Sequence, residues 1–268
     1  MNAPGWFDVP AYRRNGYAVL PGFKTARDVA ALQQRAAEIV DAFDPTGAGI
    51  FTTRDQAQNS DAYFLESGDK IRCFLEEDGV TVNKIGHAMH DLDSVFDRFS
   101  RDAGLAEIAD AIGIERPLLY QSMYIFKQPR VGGEVRWHQD ASFFYTEPLS
   151  VTAFWFAIDD ATRENGCLWV QPGGHRTPLR QRFTVRGGAA NLETIDDTPW
   201  PRIDDALPVE VERGTLVVFD GLLPHYSAPN RSAKPRHAYT LHVVDGAARY
   251  AAGNWLQRPT TFPARGFV

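Results

Sequence analysis

Trp137-His138-Gln139-Asp140 is the stretch of this sequence whose residue types and spacing most clearly suit metal chemistry. In an extended segment residues i and i+2 project from the same face, so His138 and Asp140 can reach one cation. His225 offers a second imidazole much later in the chain, after the apolar run 216–219 and a turn. Two imidazoles and one carboxylate form the facial triad that holds non-heme Fe(II) and leaves three coordination positions open. The three residues therefore predict an iron site with room for a co-substrate and O2.

Arg236 adds a carboxylate-binding group to this prediction. It follows His225 by eleven residues and enters the apolar run 238–244. A guanidinium presents fixed donors that grip a carboxylate bidentately, which lysine does less well. Beside a facial triad, such a clamp predicts 2-oxoglutarate as the co-substrate.

Two other functions are compatible with the same histidines and aspartate. A metal-dependent hydrolase or isomerase on a cupin-like jelly roll could use them to hold zinc and a water. Arg236 argues against it, because a hydrolase needs no clamp for a keto acid. A non-catalytic member that keeps the fold and binds a metabolite is the other alternative, and the intact triad argues against that one.

The elements that must position these residues begin with a mostly helical first third. Thr25 followed by Asp28 resembles a capping box, and the residue before Pro45 favours a helix end. The segment 50–83 is predicted to be loop with short strands. Apolar residues recur at helical spacing over 29–43, 89–99 and 105–112, the last closed by Gly113.

After Pro117 the chain changes to short runs rich in aromatic and β-branched residues, separated by glycine-containing turns. These runs are 120–126, 151–158, 167–170, 215–219 and 238–244. Many short strands without alternating helices favour an antiparallel sandwich or barrel over a βαβ fold. The polar segment 180–205 is predicted to be a long insertion. We therefore expect one domain over 1–268, with a helical layer over 1–115 packed on a mainly β jelly-roll core over 116–268.

Composition excludes several classes of protein. A net charge of −6 and a pI near 5.6 disfavour a nucleic-acid binder that works by neutralising phosphates. No segment approaches the roughly 18 apolar residues of a membrane span, and the first ten residues do not form a signal peptide. Two cysteines suit a reducing compartment. The expectation is a cytoplasmic protein that acts on a small molecule, and nothing in the sequence indicates its oligomeric state.

Several longer stretches match one known family. They are 82–88, 120–129, 132–135, 138–148, 164–169, 236–242 and 254–257. On these stretches the sequence resembles the phytanoyl-CoA dioxygenase family of Fe(II)- and 2-oxoglutarate-dependent oxygenases, from Gly16-Tyr17 to the C-terminus. The resemblance implies a double-stranded β-helix, or jelly roll, with the metal between its two sheets.

The resemblance also implies roles for individual residues. His138, Asp140 and His225 would bind iron, and Arg236 would pair with the distal carboxylate of 2-oxoglutarate. The residues that would line the pocket of the co-substrate are Lys84, Met123, Gln139 and Trp155. Many oxygenases have a hydroxyl residue two positions after the arginine, whereas position 238 is alanine. We therefore expect Lys84 or a nearby hydroxyl to supply the second carboxylate contact.

The expected reaction is hydroxylation of a C–H bond, with O2 consumed and 2-oxoglutarate converted to succinate and CO2. Asp140 favours hydroxylation, because related halogenases lack this carboxylate. The substrate stays open between an acyl-CoA thioester, as the family name suggests, and a free metabolite. Basic residues that could receive a CoA are Arg54, Lys70, Arg72, Arg130 and Arg136, which are equally compatible with ordinary surface charge.

Overall fold

The structure is a computed structural model that describes residues 4–51 and 62–267. Its helices are α1 (Val9–Asn15), α2 (Ala26–Asp41), α3 (Ala62–Leu65), α4 (Met89–Leu92), α5 (Ser94–Ser100) and α6 (Ala103–Ile112). Its first strands are β1 (Tyr17–Leu20), β2 (Ile71–Leu75), β3 (Val82–His87), β4 (Pro117–Ile125), β5 (Val135–His138), β6 (Thr146–Glu147) and β7 (Thr152–Ala157). The later strands are β8 (Leu168–Val170), β9 (Gln181–Arg186), β10 (Ala189–Thr194), β11 (Leu207–Val209), β12 (Leu216–Asp220), β13 (His225–Ser227), β14 (Ala238–Asp245) and β15 (Arg249–Tyr250). No helix in these ranges combines the length and the apolar character that a membrane crossing requires.

Two antiparallel sheets form the β core. The large sheet has the order β1-β12-β7-β14-β4-β3-β2, and the small sheet has the order β11-β8-β13-β5. Apolar side chains from both sheets meet in one buried cluster, in which Trp155 and Val217 of the large sheet share the interior with Leu168 and Val170 of the small one. The space between the sheets is therefore a packed interior, and the side chains that project into it are the ones available to a site.

The outer face of the large sheet is covered by helices. Leu32 of α2, Phe99 of α5 and Ile108 of α6 belong to the same buried cluster as Phe154 and Tyr239 of the sheet. This arrangement is the helical layer that the sequence predicts. Three strands before residue 115, β1 to β3, nevertheless belong to the large sheet. The one-domain organisation stays a prediction, which this shared sheet supports.

Two of the predicted helices match the structure and the third does not. Helix α2 begins at the predicted capping box of Thr25 and Asp28, and α6 ends at Gly113 with a φ of 97°. The single helix predicted over 89–99 is wrong. Asp93 has extended backbone angles, and its carboxylate caps the amides that start α5, so the segment divides into α4 and α5.

The predicted insertion 180–205 contains an ordered hairpin. Strands β9 and β10 pair in antiparallel register across Gly187-Gly188, which both have positive φ, as a tight two-residue turn requires. Phe183 of β9 is buried, and its ring centroid lies 5.6 Å from that of Phe143, whose ring in turn contacts His138. The hairpin therefore borders the segment that carries the predicted iron ligands.

Asp91, at the end of α4, joins the C-terminal tail to the helical layer. Its Oδ1 accepts hydrogen bonds from Arg101 at 2.7 Å and Arg265 at 2.9 Å, and its Oδ2 lies 3.4 Å from Nη2 of Arg258. Burial raises the pKa of Asp91, but His90 and the arginines outweigh it and hold the pKa well below its ordinary value of 3.8. The carboxylate is therefore charged, and its stabilising effect is present above about pH 4 and is lost as the pH falls further.

We expect Asp91→Asn to lower the free energy of unfolding by about 3–5 kcal/mol at pH 7, because it leaves the buried Arg258 guanidinium without its counter-ion. Asp97→Asn is the matched control, since Asp97 is more exposed and pairs with Arg101 and Arg265 but not with Arg258. We expect Asp97→Asn to lower the free energy of unfolding by less than about 1 kcal/mol. Urea unfolding at pH 7 measures both, and equal losses in the two variants would contradict the prediction.

Candidate metal and co-substrate site

The three predicted iron ligands lie together at the edge of the small sheet. His138 ends β5 and pairs directly with His225, the first residue of β13, while Asp140 opens the 3-10 turn that follows β5. Nε2 of His138 lies 3.5 Å from Oδ1 of Asp140, and Nε2 of His225 lies 3.7 Å from the same oxygen. Within the described residues this is the only group of three or more such side chains whose ligand atoms lie within 4.8 Å of one another.

Both imidazoles are oriented by the backbone. Nδ1 of His138 lies 2.8 Å from the carbonyl of Arg136, and Nδ1 of His225 lies 3.0 Å from the carbonyl of Leu223. A carbonyl only accepts hydrogen bonds, so we place the proton of each ring on Nδ1. The lone pair of each Nε2 is then directed at the space beside Asp140, which is the orientation that metal-binding histidines adopt.

Protonation in the site also suits a metal. Burial and the neighbouring His225 lower the pKa of His138 to about 3, so its ring is neutral at physiological pH. Burial raises the pKa of Asp140, but the surrounding imidazoles outweigh it and leave the pKa well below its usual range. The site therefore offers the neutral imidazole of His138 and an ionised carboxylate, the protonation states in which these groups bind metals.

Gln139 is placed differently from its predicted role. Its amide nitrogen donates to the carbonyls of Pro178 and Leu222, at 3.1 and 2.8 Å, and its amide oxygen accepts from the backbone N–H of Arg180. The side chain points away from those of its two neighbours, as alternation in an extended segment requires. We therefore correct its predicted place in the co-substrate pocket: the Gln139 side chain braces the loops that flank the metal site.

The other predicted pocket residues share the inner face of the large sheet. Met123 of β4 pairs with Thr240 of β14, and Thr240 pairs with Trp155 of β7, so the three stand in one row. Lys84 of β3 belongs to the next row, which also holds Ala238. The registers thus bring these predicted residues to the face that meets the small sheet.

Arg236 is buried two residues before Ala238, with its guanidinium carbon 5.6 Å from the ring centroid of Trp155. Its Nη2 donates to Oγ of Ser227 at 3.2 Å. Its Nε and Nη1 are buried and have no hydrogen-bond partner in the described part of the chain. Burial lowers the pKa of Arg236 to about 10, so the group is still charged at neutral pH. A buried cation with free donors is costly, and a carboxylate ligand would satisfy it.

Lys84 is a second buried cation near this face. It borders a cavity of ≈ 150 Å³ that Ile125, Lys127 and Val135 also line, and its ammonium lies over the ring of Phe51. Burial lowers the pKa of Lys84 to about 7, although Glu76 acts in the opposite direction. Its charge is therefore sensitive to an anion that binds nearby.

Thr240 is a residue that the sequence analysis did not single out. Its Oγ1 is buried and has no hydrogen-bond partner among the described residues. Ser227, the other hydroxyl near Arg236, already donates its proton to the carbonyl of Gly166. Thr240 thus presents a hydroxyl without a partner among the described residues, in the row that also holds Met123 and Trp155. The alternation of Arg236, Ala238 and Thr240 along the strand was the signal that could have revealed it.

Comparison with known proteins places this site in a family. The model of the phytanoyl-CoA dioxygenase (PhyH) family matches residues 12–238. The chain belongs to the phytanoyl-CoA dioxygenase family. It is 44% identical over 260 residues to phytanoyl-CoA dioxygenase 1 of Oryza sativa subsp. japonica, which covers 91% of this chain and 90% of that protein. It is 40% identical over 275 residues to phytanoyl-CoA dioxygenase domain-containing protein 1 of Bos taurus, with 94% of each chain covered.

Solved structures share the fold of this phytanoyl-CoA dioxygenase family member. EctD from S. alaskensis, with 2-oxoglutarate and 5-hydroxyectoine, gives a TM-score of 0.69 at 23% identity and covers 96% of this chain and 83% of its own. The α-ketoglutarate-dependent carbocyclase SnoK gives a TM-score of 0.68 at 17% identity, with 99% and 98% covered. The predicted double-stranded β-helix with N-terminal helices is therefore confirmed.

Family membership also confirms the predicted class of enzyme. The chain is a 2-oxoglutarate-dependent dioxygenase with a His-Asp-His facial triad, and its cofactors are Fe(II) and 2-oxoglutarate. The sequence was compatible with an oxygenase, a metal-dependent hydrolase or isomerase, and a non-catalytic binding protein. Family membership confirms the oxygenase and argues against the other two.

Proposed function

We propose that this enzyme hydroxylates a C–H bond of a small molecule and releases succinate and CO2. The observation that carries the proposal is the intact set of His138, Asp140 and His225 together with the buried guanidinium of Arg236, whose Nε and Nη1 have no partner among the described residues. A carboxylate at position 140 occupies the place that halide takes in related halogenases, which favours transfer of oxygen over transfer of halogen.

In this proposal the iron is held by Nε2 of His138, Nε2 of His225 and Oδ1 of Asp140. When bound, Fe(II) and 2-oxoglutarate together activate O2 and supply the oxidising power. The residues of the chain bind and orient the reactants. The backbone carbonyls behind the two imidazoles fix the direction of their lone pairs, toward the space beside Asp140 that the metal would occupy.

The co-substrate is proposed to lie on the inner face of the large sheet. Nε and Nη1 of Arg236 would grip its distal carboxylate, and Oγ1 of Thr240 would donate a further hydrogen bond. Trp155 and Met123 would form the walls of the pocket, and Lys84 would add positive charge. An acidic protein would in this way attract a dianion through local charge alone.

Aromatic side chains lie beside His138 of the triad. Phe143, with its ring centroid 6.3 Å from that of His138, packs against Phe183 of the β9–β10 hairpin. We propose that these rings contact the substrate and exclude water from the reacting C–H bond. An apolar portion of the substrate would fit this surface.

We favour a free small molecule over an acyl-CoA thioester. Lys70 and Arg72 both lie within 4.0 Å of the carboxylate of Glu66, and Arg136 lies near Glu134, so these charges are partly neutralised before any phosphate arrives. Arg54 lies outside the described residues. Direct competition between a free acid and its CoA thioester in turnover assays separates the two substrate classes.

Anaerobic addition of Fe(II) and 2-oxoglutarate tests the function. The weak visible charge-transfer band of the ternary complex is expected, followed by succinate on exposure to O2. A compound library is then screened by mass spectrometry for a product that gains one oxygen atom. Absence of both the band and succinate would overturn the proposal, and a product that gains halogen or loses only hydrogen would overturn the assignment as a hydroxylase.

If Lys84 contacts the co-substrate, binding of 2-oxoglutarate at pH 8 should be accompanied by uptake of about one proton. The free lysine, with its pKa near 7, is mostly neutral at that pH, and a neighbouring dianion raises the pKa and draws in the proton. Calorimetric titration of the Mn(II)-loaded enzyme, in buffers of different ionisation enthalpy, measures the uptake. Lys84→Met should lose it and Lys70→Met should keep it; equal uptake in both variants would remove Lys84 from the pocket.

A further inference from the structure

His242 lies next to the proposed metal site but outside it. It belongs to β14 and is 4% exposed. Its register partner on β7 is Ala153, which pairs in turn with Phe219, and the Phe219 ring lies 4.7 Å from that of His225. His242 is not part of the group whose ligand atoms lie within 4.8 Å of one another. The imidazole therefore contacts one of the three proposed ligands, Asp140, without belonging to the group.

The ring of His242 is held in a fixed orientation. The ring of Phe144 stacks on it with a centroid separation of 4.9 Å and an interplanar angle of 22°. The pairing of β14 with β4 shifts register directly after His242, and such bulges beside active sites re-aim side chains. The position of the imidazole is therefore set by the fold before any metal binds.

The two carboxylate oxygens of Asp140 have different surroundings. Oδ1 is the oxygen that faces Nε2 of both His138 and His225. Oδ2 is buried and accepts no hydrogen bond of good angle within residues 4–51 and 62–267, and Nε2 of His242 lies 3.2 Å from it. Nδ1 of His242 is also buried and has no partner in those ranges, so the carboxylate favours the proton of this ring on Nε2.

We propose that His242 is a positioning residue that keeps Asp140 a one-oxygen ligand. The contact of its Nε2 with Oδ2, at 3.2 Å, would stabilise that oxygen, so that only Oδ1 would bind the metal and three positions would stay open for 2-oxoglutarate and O2. Without this donor the buried Oδ2 lacks a partner, and its nearest alternative is the cation itself. A carboxylate that bound through both oxygens would take a position that the reactants need. The inference rests on the proposed ligand role of Asp140.

His242→Phe and His242→Gln test the proposal as a pair. The phenylalanine keeps the stacking on Phe144 and removes the donor, whereas the glutamine amide can still reach Oδ2. We expect His242→Phe to weaken 2-oxoglutarate binding to the Mn(II)-loaded enzyme by about 10–100-fold, because the second oxygen of Asp140 would compete for a position that the co-substrate needs, and to shift the charge-transfer band with Fe(II) and 2-oxoglutarate. His242→Gln should restore most of the affinity and the wild-type band.

Wild-type affinity and an unchanged band in His242→Phe would overturn the proposal. Equal losses in both variants would also overturn it, because they would show that the ring acts through packing. If the phenylalanine variant does not fold, His242→Asn replaces it, since this shorter amide falls short of Oδ2 while glutamine reaches it. A wild-type enzyme with neither metal binding nor a band would instead count against the proposed function, so the two failures are distinguishable.

Discussion

Asp140→Ala is expected to abolish succinate formation, with a loss of more than about 10³-fold in turnover, while the protein stays folded. The substitution removes the carboxylate that faces Nε2 of both His138 and His225. Two imidazoles alone bind Fe(II) weakly and do not fix which of its positions remain open. Succinate release under O2, with and without added substrate, measures the loss.

Two controls accompany this substitution. Asp140→Asn keeps one oxygen donor without the charge and should retain more metal affinity than the alanine variant. Asp204→Ala removes an exposed carboxylate, whose side chain is 81% accessible to solvent, and should leave turnover unchanged. Thermal unfolding of the three metal-free proteins shows whether the fold is intact. Succinate formation at more than a few per cent of the wild-type rate in the folded alanine variant would refute the ligand role of Asp140.

Arg236→Met is expected to act in opposite directions on binding and on stability. Loss of the guanidinium should weaken 2-oxoglutarate binding by at least about 100-fold, because the distal carboxylate loses its charged hydrogen bonds in a buried pocket. The same change removes two buried nitrogen atoms, Nε and Nη1, that have no partner within the described residues, so the protein without co-substrate should become more stable by about 1–4 kcal/mol. The thioether can replace part of the packing on Trp155.

Thermal unfolding with and without Mn(II) and 2-oxoglutarate reads both effects. The wild-type midpoint should rise when the co-substrate is added, while that of Arg236→Met should start higher and stay there. Arg236→Lys separates the effect of the charge from that of the hydrogen bonds, since it keeps the charge but not the bidentate donors. If Arg236→Met started lower than the wild type and still rose with 2-oxoglutarate, the guanidinium would be a structural group and not the clamp.

The sequence predicted what depends on local patterns. The His-x-Asp pair, the capping box of α2 and the apolar runs that became β7, β12 and β14 are all legible within a few residues, because strand alternation and helix capping are short-range effects. Arg236 was found in the same way, from its place at the start of a strand.

What the sequence could not predict depends on pairing between distant segments. The row that Thr240 shares with Met123 and Trp155, and the pairing of His242 with Ala153, follow from the register of β14 with β4 and β7, which no short window contains. The incorporation of β2 and β3 into the large sheet is likewise a long-range choice. The hydrogen bonds of the Gln139 side chain to the backbone of residues 178, 180 and 222 likewise join distant segments, so no local pattern predicts them.

If Phe143 and Phe183 contact the substrate as proposed, the β9–β10 hairpin contributes to substrate selectivity while the iron ligands lie on other strands. It pairs only with itself, outside both sheets, yet it brings Phe183 to the aromatic border of the triad. Sequence drift in the hairpin can therefore alter the molecules that are admitted while the iron ligands on β5 and β13 stay where they are. Under the proposed function, exchange of this hairpin between relatives would therefore change which substrates bind without moving the iron ligands of the β core.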